Sequence, residues 1–285
     1  MQTVKMVLYP FFIDCSVKGD PKIGIIFRMR KTARAWRRRA RPSGINSYLC
    51  CGDPSVRGFA GGDTGGRLLN LKMQITRPVP AADPVEYTDG RALTEGEEIA
   101  GGIFRGIVFP HLDREHVWVQ SCLFAGCLFP ACVLRGSHFT DVTFRNCDLS
   151  NADLTGCSFQ RVEFLDCKLM GTNLSEATMQ HVAFERCKAE FANFALGRLR
   201  FVAHSQGVMR GAVFDECRLE KASFSRCDLT QGEFRGTRLR GLSFADSDIR
   251  GIRVGEVDSF ELKGLKINAL QAVDLVRLLG VEVEE

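Results

Sequence analysis

Apolar residues recur at every fifth position from Phe124 to Val254, and this spacing constrains the fold more than any other feature of the chain. The series opens Phe124, Phe129, Leu134, Phe139, Phe144, Leu149, Leu154 and Phe159, and runs in step to Phe244, Ile249 and Val254. Of its 27 sites, 26 are apolar and only His204 is not. A chain that is 45% hydrophobic would fill about twelve of them by chance. A period of five matches neither the roughly 3.6 residues of a helical turn nor the 2 of a flat strand. It matches a solenoid in which five residues make one side and one corner.

A second column lies two residues before each of these sites and is made of small or β-branched residues. It holds nine of the twelve cysteines: Cys122, Cys127, Cys132, Cys147, Cys157, Cys167, Cys187, Cys217 and Cys227. Val142, Val162, Val182 and Val202 recur every twenty residues, as do Phe124, Phe144, Phe164, Phe184, Phe224 and Phe244. Four units per coil therefore stack like residues on like, at about 4.8 Å per coil. Twelve Phe and nine Leu of the series point inward, and each contributes roughly 1.5–3 kcal/mol when buried. Units such as Cys147-Asp148-Leu149-Ser150-Asn151, Ala152-Asp153-Leu154 and Cys227-Asp228-Leu229 resemble the pentapeptide repeat family. That resemblance spans about residues 101–267 and implies an all-β fold, a right-handed quadrilateral parallel β-helix, with a short C-terminal α-helix.

Charge divides the chain into parts. Residues 1–72 carry 14 basic and 4 acidic side chains, residues 73–100 carry 2 and 6, and residues 101–285 carry 22 and 24. The parts read as a basic N-terminal extension without regular structure (1–72), an acidic connector (73–100), a repeat β-helix (101–267) and a closing helix with a short strand (268–285). Arg28 to Arg41 contains eight basic residues, able to grip phosphates or to stand solvated as a tail. Met73 opens a segment that matches the body in composition, so a native start there is also weighed. Phe104 and Phe109 keep the five-step but Arg114 breaks it, which points to an irregular first coil. At the other end Asn268 and Gln271 have capping-box spacing for a helix from Ala269 to Leu279, ended by Gly280, with Val281 and Val283 alternating with acids beyond it.

Catalytic and metal chemistry is sought and not found. The cysteines lack C-x-x-C spacing and read as small, reduced interior residues, which suits a cytoplasmic location. His111, His116, His138 and His181 fall at outward or irregular positions. His204 is expected to distort its coil so that the ring reaches solvent or a carbonyl. The Gly61–Gly66 stretch lacks the Lys-Ser/Thr of a phosphate loop. No enzyme, catalytic residue, cofactor or metal is expected, no apolar run is long enough to span a membrane, and direct contact with nucleic acid is not expected.

Binding is then the default. Asp248-Ile249-Arg250-Gly251-Ile252, Gly264-Leu265-Lys266-Ile267, the helix with Gln271 and Leu275-Val276-Arg277-Leu278-Leu279-Gly280, and Val281-Glu282-Val283 resemble the tail of Qnr-type quinolone-resistance proteins. The resemblance implies a homodimer through the last coils and the helix, with Leu270, Val273, Leu275, Val276 and Leu279 as interface candidates. It further implies binding to DNA gyrase and topoisomerase IV, modulating them or protecting them from quinolones or toxins. Two features depart from that family. The unbroken register leaves no room for a projecting loop, and residues 121–255 hold 17 basic against 15 acidic residues, where an imitation of DNA should be acidic. Arg198, Arg200, Arg218, Arg238 and Arg240 fall on one side and form a candidate surface for an anionic partner. The alternative function is a structural scaffold that binds an unrelated protein.

Overall fold

A period of twenty residues dictates what neighbours what, because residue i of one coil can pair only with residue i+20 of the next. The computed structural model describes residues 3–8, 11–16, 28–30, 74–110, 112–255 and 260–278. The chain divides into two compact units, residues 1–71 and 72–285. In the first, Thr3–Leu8 (β1), Phe11–Ser16 (β2) and Arg28–Arg30 (β3) form an antiparallel sheet in the order β1-β2-β3. The rest of the basic extension, including Arg34 to Arg41, lies outside the described residues.

The second unit is a parallel β-solenoid of about seven turns. Its elements are Val85–Tyr87 (β4), the helix Arg91–Glu95 (α1), Glu98–Ala100 (β5), Gly102–Arg105 (β6), Trp118–Gln120 (β7) and Leu123–Ala125 (β8). They continue with His138–Arg145 (β9), Ser158–Leu165 (β10), Thr178–Glu185 (β11), Arg198–Ser205 (β12), Arg218–Glu220 (β13), Ser223–Ser225 (β14) and the helix Ala269–Arg277 (α2). Strands β9 to β12 pair in parallel at an offset of twenty, as in Phe139↔Phe159, Val142↔Val162, Val162↔Val182 and Val182↔Val202. Single parallel bridges such as Asp153↔Asn173 and Lys168↔Lys188 carry the same offset round the other two sides. Backbone bonds join the coils: Leu149 N–H donates to Lys168 O at 2.8 Å and Leu154 N–H to Asn173 O at 2.8 Å, nineteen residues ahead.

The interior follows the sequence columns. Every site of the five-step series is buried except Leu219 and Val254, which are half-buried. The phenylalanines stack coil on coil, with centroids 5.0 Å apart for Phe124–Phe144, 4.9 Å for Phe144–Phe164 and 4.8 Å for Phe164–Phe184. Columns on adjacent sides meet edge to face, as in Phe129–Phe144 at 6.1 Å and 72°. The nine cysteines are free and buried, and burial pushes the Cys132, Cys157 and Cys217 thiols up to about 12. They are more than small hydrophobes. Cys157 Sγ donates to Leu134 O at 3.0 Å and Cys217 Sγ to Phe194 O at 2.9 Å, and the hydroxyls of Thr172 and Thr237 do the same for Leu149 and Phe214.

The solenoid begins earlier than residue 101. Tyr87 stacks on Phe104 at 4.7 Å, Ile99 pairs with Val119, and Leu93 of α1 is buried, so part of the acidic connector forms the first coil. Arg114 breaks the apolar series because its guanidinium caps α1, bonding Thr94 O and, at 3.3 Å, Gly96 O. Leu112, in the small-residue column, is buried in the same coil. Residues 74–83 are not a free connector either. They run along one corner of the rod: Val79 N–H donates to Asp141 at 3.0 Å, Arg77 pairs with Glu163 at 3.6 Å and Thr76 N–H meets His181 Nδ1 at 3.2 Å. Asp141 also holds Arg161 through two contacts of 2.6 Å, and that guanidinium keeps its carboxyl below the ordinary range.

At the far end the register slips. Leu239 N–H bonds Glu261 O, three residues beyond the position the twenty-residue period assigns. The capping box is present, with Asn268 accepting from Gln271 N–H and Gln271 from Asn268 N–H, both at 2.9 Å. Gln271 is also buried, and its amide donates to the carbonyls of Phe244 (2.8 Å) and Ser247 (2.5 Å), so α2 seals the last coil. Gly280 and the expected strand at Val281 and Val283 lie outside the described residues.

His204 does not distort its coil. Its ring lies between Phe184 and Phe224, 4.5 and 4.9 Å away and within 5° of parallel, with 2% exposure. Imidazole is flat enough to take a phenyl's place in the stack, at the cost of a buried Nε2 without a hydrogen-bond partner. Burial pushes its pKa from 6.5 down to about 3. The unfolded chain therefore takes up a proton between about pH 6.5 and 3 that the folded chain refuses, and stability falls as pH drops through that window. Urea unfolding of wild type and His204→Phe checks this. The wild type loses roughly 2 kcal/mol more than the variant between pH 7 and 5, and the variant is more stable by about 1–3 kcal/mol at pH 7.

Candidate functional site

A filled, aromatic interior leaves only outward positions for function. Among the described residues no group of three or more His, Cys, Asp or Glu is placed to hold a metal ion. No helix of the described residues is long and apolar enough to cross a membrane. Each side presents two outward columns, one residue before and one after the inward site, and nearly every described corner carries a residue in the left-handed region. Among the described residues nineteen non-glycine residues have positive φ, at five-residue spacing along the solenoid. The side walls are therefore regular, and what matters is which side chains they display.

On the side formed by β9 to β13 the display changes along the rod. Its first coils carry Trp118 stacked on His138 at 4.0 Å, followed by Ser158, Gln160, Thr178 and Gln180. Its later coils carry Arg198 and Arg200, Arg218 and Glu220, and Arg238 and Arg240, all exposed. Arg198 and Arg218 are direct partners in the parallel ladder. The structure thus brings together the five arginines picked from the sequence. Arg200 has Glu220 at 3.9 Å, and among the described residues no carboxylate pairs with Arg198, Arg218, Arg238 or Arg240. Elsewhere on the rod most arginines do have one: Arg135 with Asp153, Arg186 with Asp166, Arg210 with Asp228, Arg235 with Asp215 and Arg253 with Glu233. On the adjoining corner Phe201 is enclosed by His181, 4.7 Å away, and by Lys221, whose Nζ lies 4.5 Å from the ring centre.

Sequence reasoning missed a second feature. Phe191 and Leu196 occupy consecutive corners at φ 57° and 62°, and are 64% and 51% exposed. Bulky residues are uncommon in that conformation, and three other corners in the Phe191 column are the glycines Gly171, Gly211 and Gly251. The Phe191 ring lies over Gly211, where a Cβ would come within 2.8 Å of it. The available signal was a large apolar residue at the corner of the five-residue unit, where the chain elsewhere often places Gly or Asn.

The third feature is the outer face of α2. Leu270 is 83% and Val273 38% exposed. Leu275 turns the other way and packs, with Leu278, against the core of the rod. Val276 is half-buried, and Leu279 lies outside the described residues. Of the five interface candidates, Leu270 and Val273 thus present an open face, while Leu275 belongs to the seal.

Comparisons with known proteins bear on the fold. A family model for a pentapeptide repeat region matches residues 137–206, and one for pentapeptide repeats in eight copies matches 192–231 and 208–253. No curated protein matches the sequence. Similar solved structures include full-length QnrB1, described as a plasmid-mediated fluoroquinolone resistance protein. It is 24% identical over 69% of this chain and 95% of that one, with a TM-score of 0.39. HetL, a pentapeptide repeat protein involved in heterocyst differentiation regulation in the cyanobacterium Nostoc sp. strain PCC 7120, is 16% identical over 61% of this chain and 95% of its own, at 0.31. A pentapeptide repeat protein of the Arabidopsis thaliana thylakoid lumen is 27% identical over 39% of this chain and 74% of its own, also at 0.31. The five-residue step, the four-sided coil and the two family matches agree that residues 137–253 are pentapeptide repeats.

Proposed function

We propose that this protein is a non-catalytic binding rod in the cytoplasm, and that its partner is a type II topoisomerase, DNA gyrase or topoisomerase IV. It would modulate that enzyme or protect it from quinolones or toxins. The observation that carries a protein partner is the pair Phe191 and Leu196, large apolar side chains held open on rigid corners. An exposed aromatic fixed in place makes a binding anchor of low entropic cost. The topoisomerase is suggested by the tail: the segments that resemble Qnr-type proteins are those that close the rod, with Ile249 and Ile252 buried and α2 capped by Asn268 and Gln271. Imitation of DNA charge is not part of the proposal, because much of the rod's acidic charge is engaged in ion pairs with its own arginines. Gyrase supercoiling is the test, with and without ciprofloxacin. Wild type changes the supercoiling or rescues it from the drug, while Phe191→Gly with Leu196→Asn weakens the effect by about tenfold or more. Glycine and asparagine suit left-handed corners, so the double variant melts no lower than wild type. An absence of any wild-type effect or binding over a wide concentration range would refute the topoisomerase reading.

The same proposal includes a homodimer through the outer face of α2. Leu270→Glu shifts the solution mass from dimer to monomer without lowering the melting temperature. Leu275→Glu lowers the melting temperature, because it places a charge against the core. A dimer unaffected by Leu270→Glu refutes pairing through this face.

A further inference from the structure

We propose that the arginine side of the rod is a binding site for the phosphate backbone of duplex DNA, an inference that stands apart from the topoisomerase reading. Arg198, Arg218 and Arg238 occupy one outward column on successive coils, and Arg200 and Arg240 occupy the other. Like charges placed opposite one another in a ladder oppose folding, and strand spacing sets these rows only about 4.8 Å apart. At corners of the rod the chain sets a carboxylate one coil from an arginine, as in Asp141–Arg161 and Asp166–Arg186. On this side the described residues supply only Glu220, 3.9 Å from Arg200. Uncompensated guanidiniums in two parallel rows match a ligand that brings its own closely spaced anions, and guanidinium pairs with phosphate through two hydrogen bonds at once.

Two observations choose among polyanions. The outward positions of this side from Thr178 to Arg240 hold no large apolar residue, only Thr, Gln, Arg and Glu. A protein interface needs a desolvated apolar centre, whereas a phosphate backbone is held by charge and hydrogen bonds alone. The nearby aromatic rings are also occupied. Phe201 is enclosed between His181 and Lys221, and Arg238 lies over Phe260 at 5.1 Å. Single-stranded nucleic acid is bound by stacking bases on open rings, and the described rings beside the arginines, Phe201 and Phe260, each already carry a cation on one face. The flat, loop-free wall instead suits the outer phosphates of a duplex. The near-neutral total over residues 121–255 hides the site, because the acids that balance it lie on other sides.

The test uses the full chain, so that residues 1–72, with their 14 basic side chains, contribute equally to every sample. A fluorescently labelled short DNA duplex is titrated at about 50 and about 200 mM salt. Wild type is compared with Arg198→Gln/Arg218→Gln/Arg238→Gln and with Arg186→Gln/Arg235→Gln/Arg250→Gln, which removes equal charge from other sides. The first triple variant weakens binding by at least about tenfold and lowers the slope of log affinity against log salt by roughly 2–3, while the second stays within about twofold of wild type. The first also melts at or above the wild-type temperature, since it removes repulsion. Equal weakening by both triples would show a net-charge effect and overturn the site. So would competition by polyglutamate as strong as by unlabelled duplex, which would mark an acidic protein surface as the ligand, or a lowered melting temperature in the first triple.

Discussion

Everything in this rod depends on one coincidence of lengths. Parallel coils lie about 4.8 Å apart, and aromatic rings stack face to face at nearly the same distance. Phe109–Phe129, Phe164–Phe184 and Phe194–Phe214 stand 4.7, 4.8 and 4.7 Å apart. Backbone hydrogen bonding and side-chain stacking therefore ask for the same rise, and neither strains the other. The interior must then be built from flat or slender groups in register. Phe, Leu, Met and Ala meet that demand, and so does the neutral imidazole of His204 between Phe184 and Phe224.

The two ends solve a common problem by different means. A stack of coils leaves a last ring of backbone groups with no coil beyond it. At the start, Arg114 leaves the apolar column to bond the carbonyls that end α1. At the finish, the side chains of Glu261 and Gln271 reach into the interior. Glu261 accepts from the Gly236 and Gly255 amides, and Gln271 donates to Phe244 and Ser247. Each end thus spends a polar or charged side chain where the repeat would place a hydrophobe, or where it runs out of register.

Much of this was legible in the sequence, because a repeat states its own neighbours. The inward series, the cysteine column, the twenty-residue pairing and the Asn268–Gln271 capping box all follow from spacing. What did not follow was anything that depends on a single coil. A polar ring in an apolar column suggests a distorted coil, yet His204 stays in the stack, where ring geometry prevails over hydrogen bonding. The acidic charge of residues 73–100 points to a connector, yet Tyr87 and Ile99 within it join the first coil. Thiol donation to carbonyls twenty-three residues earlier, as from Cys157 to Leu134, is invisible without coordinates. The arginine side is legible as a cluster, but the scarcity of counter-charges among the described residues is not, since pairing runs between coils.

The division of labour is accordingly between an interior that fixes the register and outward positions that are free to vary. The central claim is that this register is unbroken from Ile99 to Ile252 and makes the walls rigid. Amide hydrogen exchange resolved along the chain tests it most directly, at neutral pH where His204 is uncharged. The account predicts that inward-column amides of β12, at Leu199, Val202 and His204, exchange as slowly as those of β10 and β11 and open together with them. Fast, independent exchange confined to the coil around His204 would contradict it, and would replace the continuous rod with two shorter stacks joined at a weak layer.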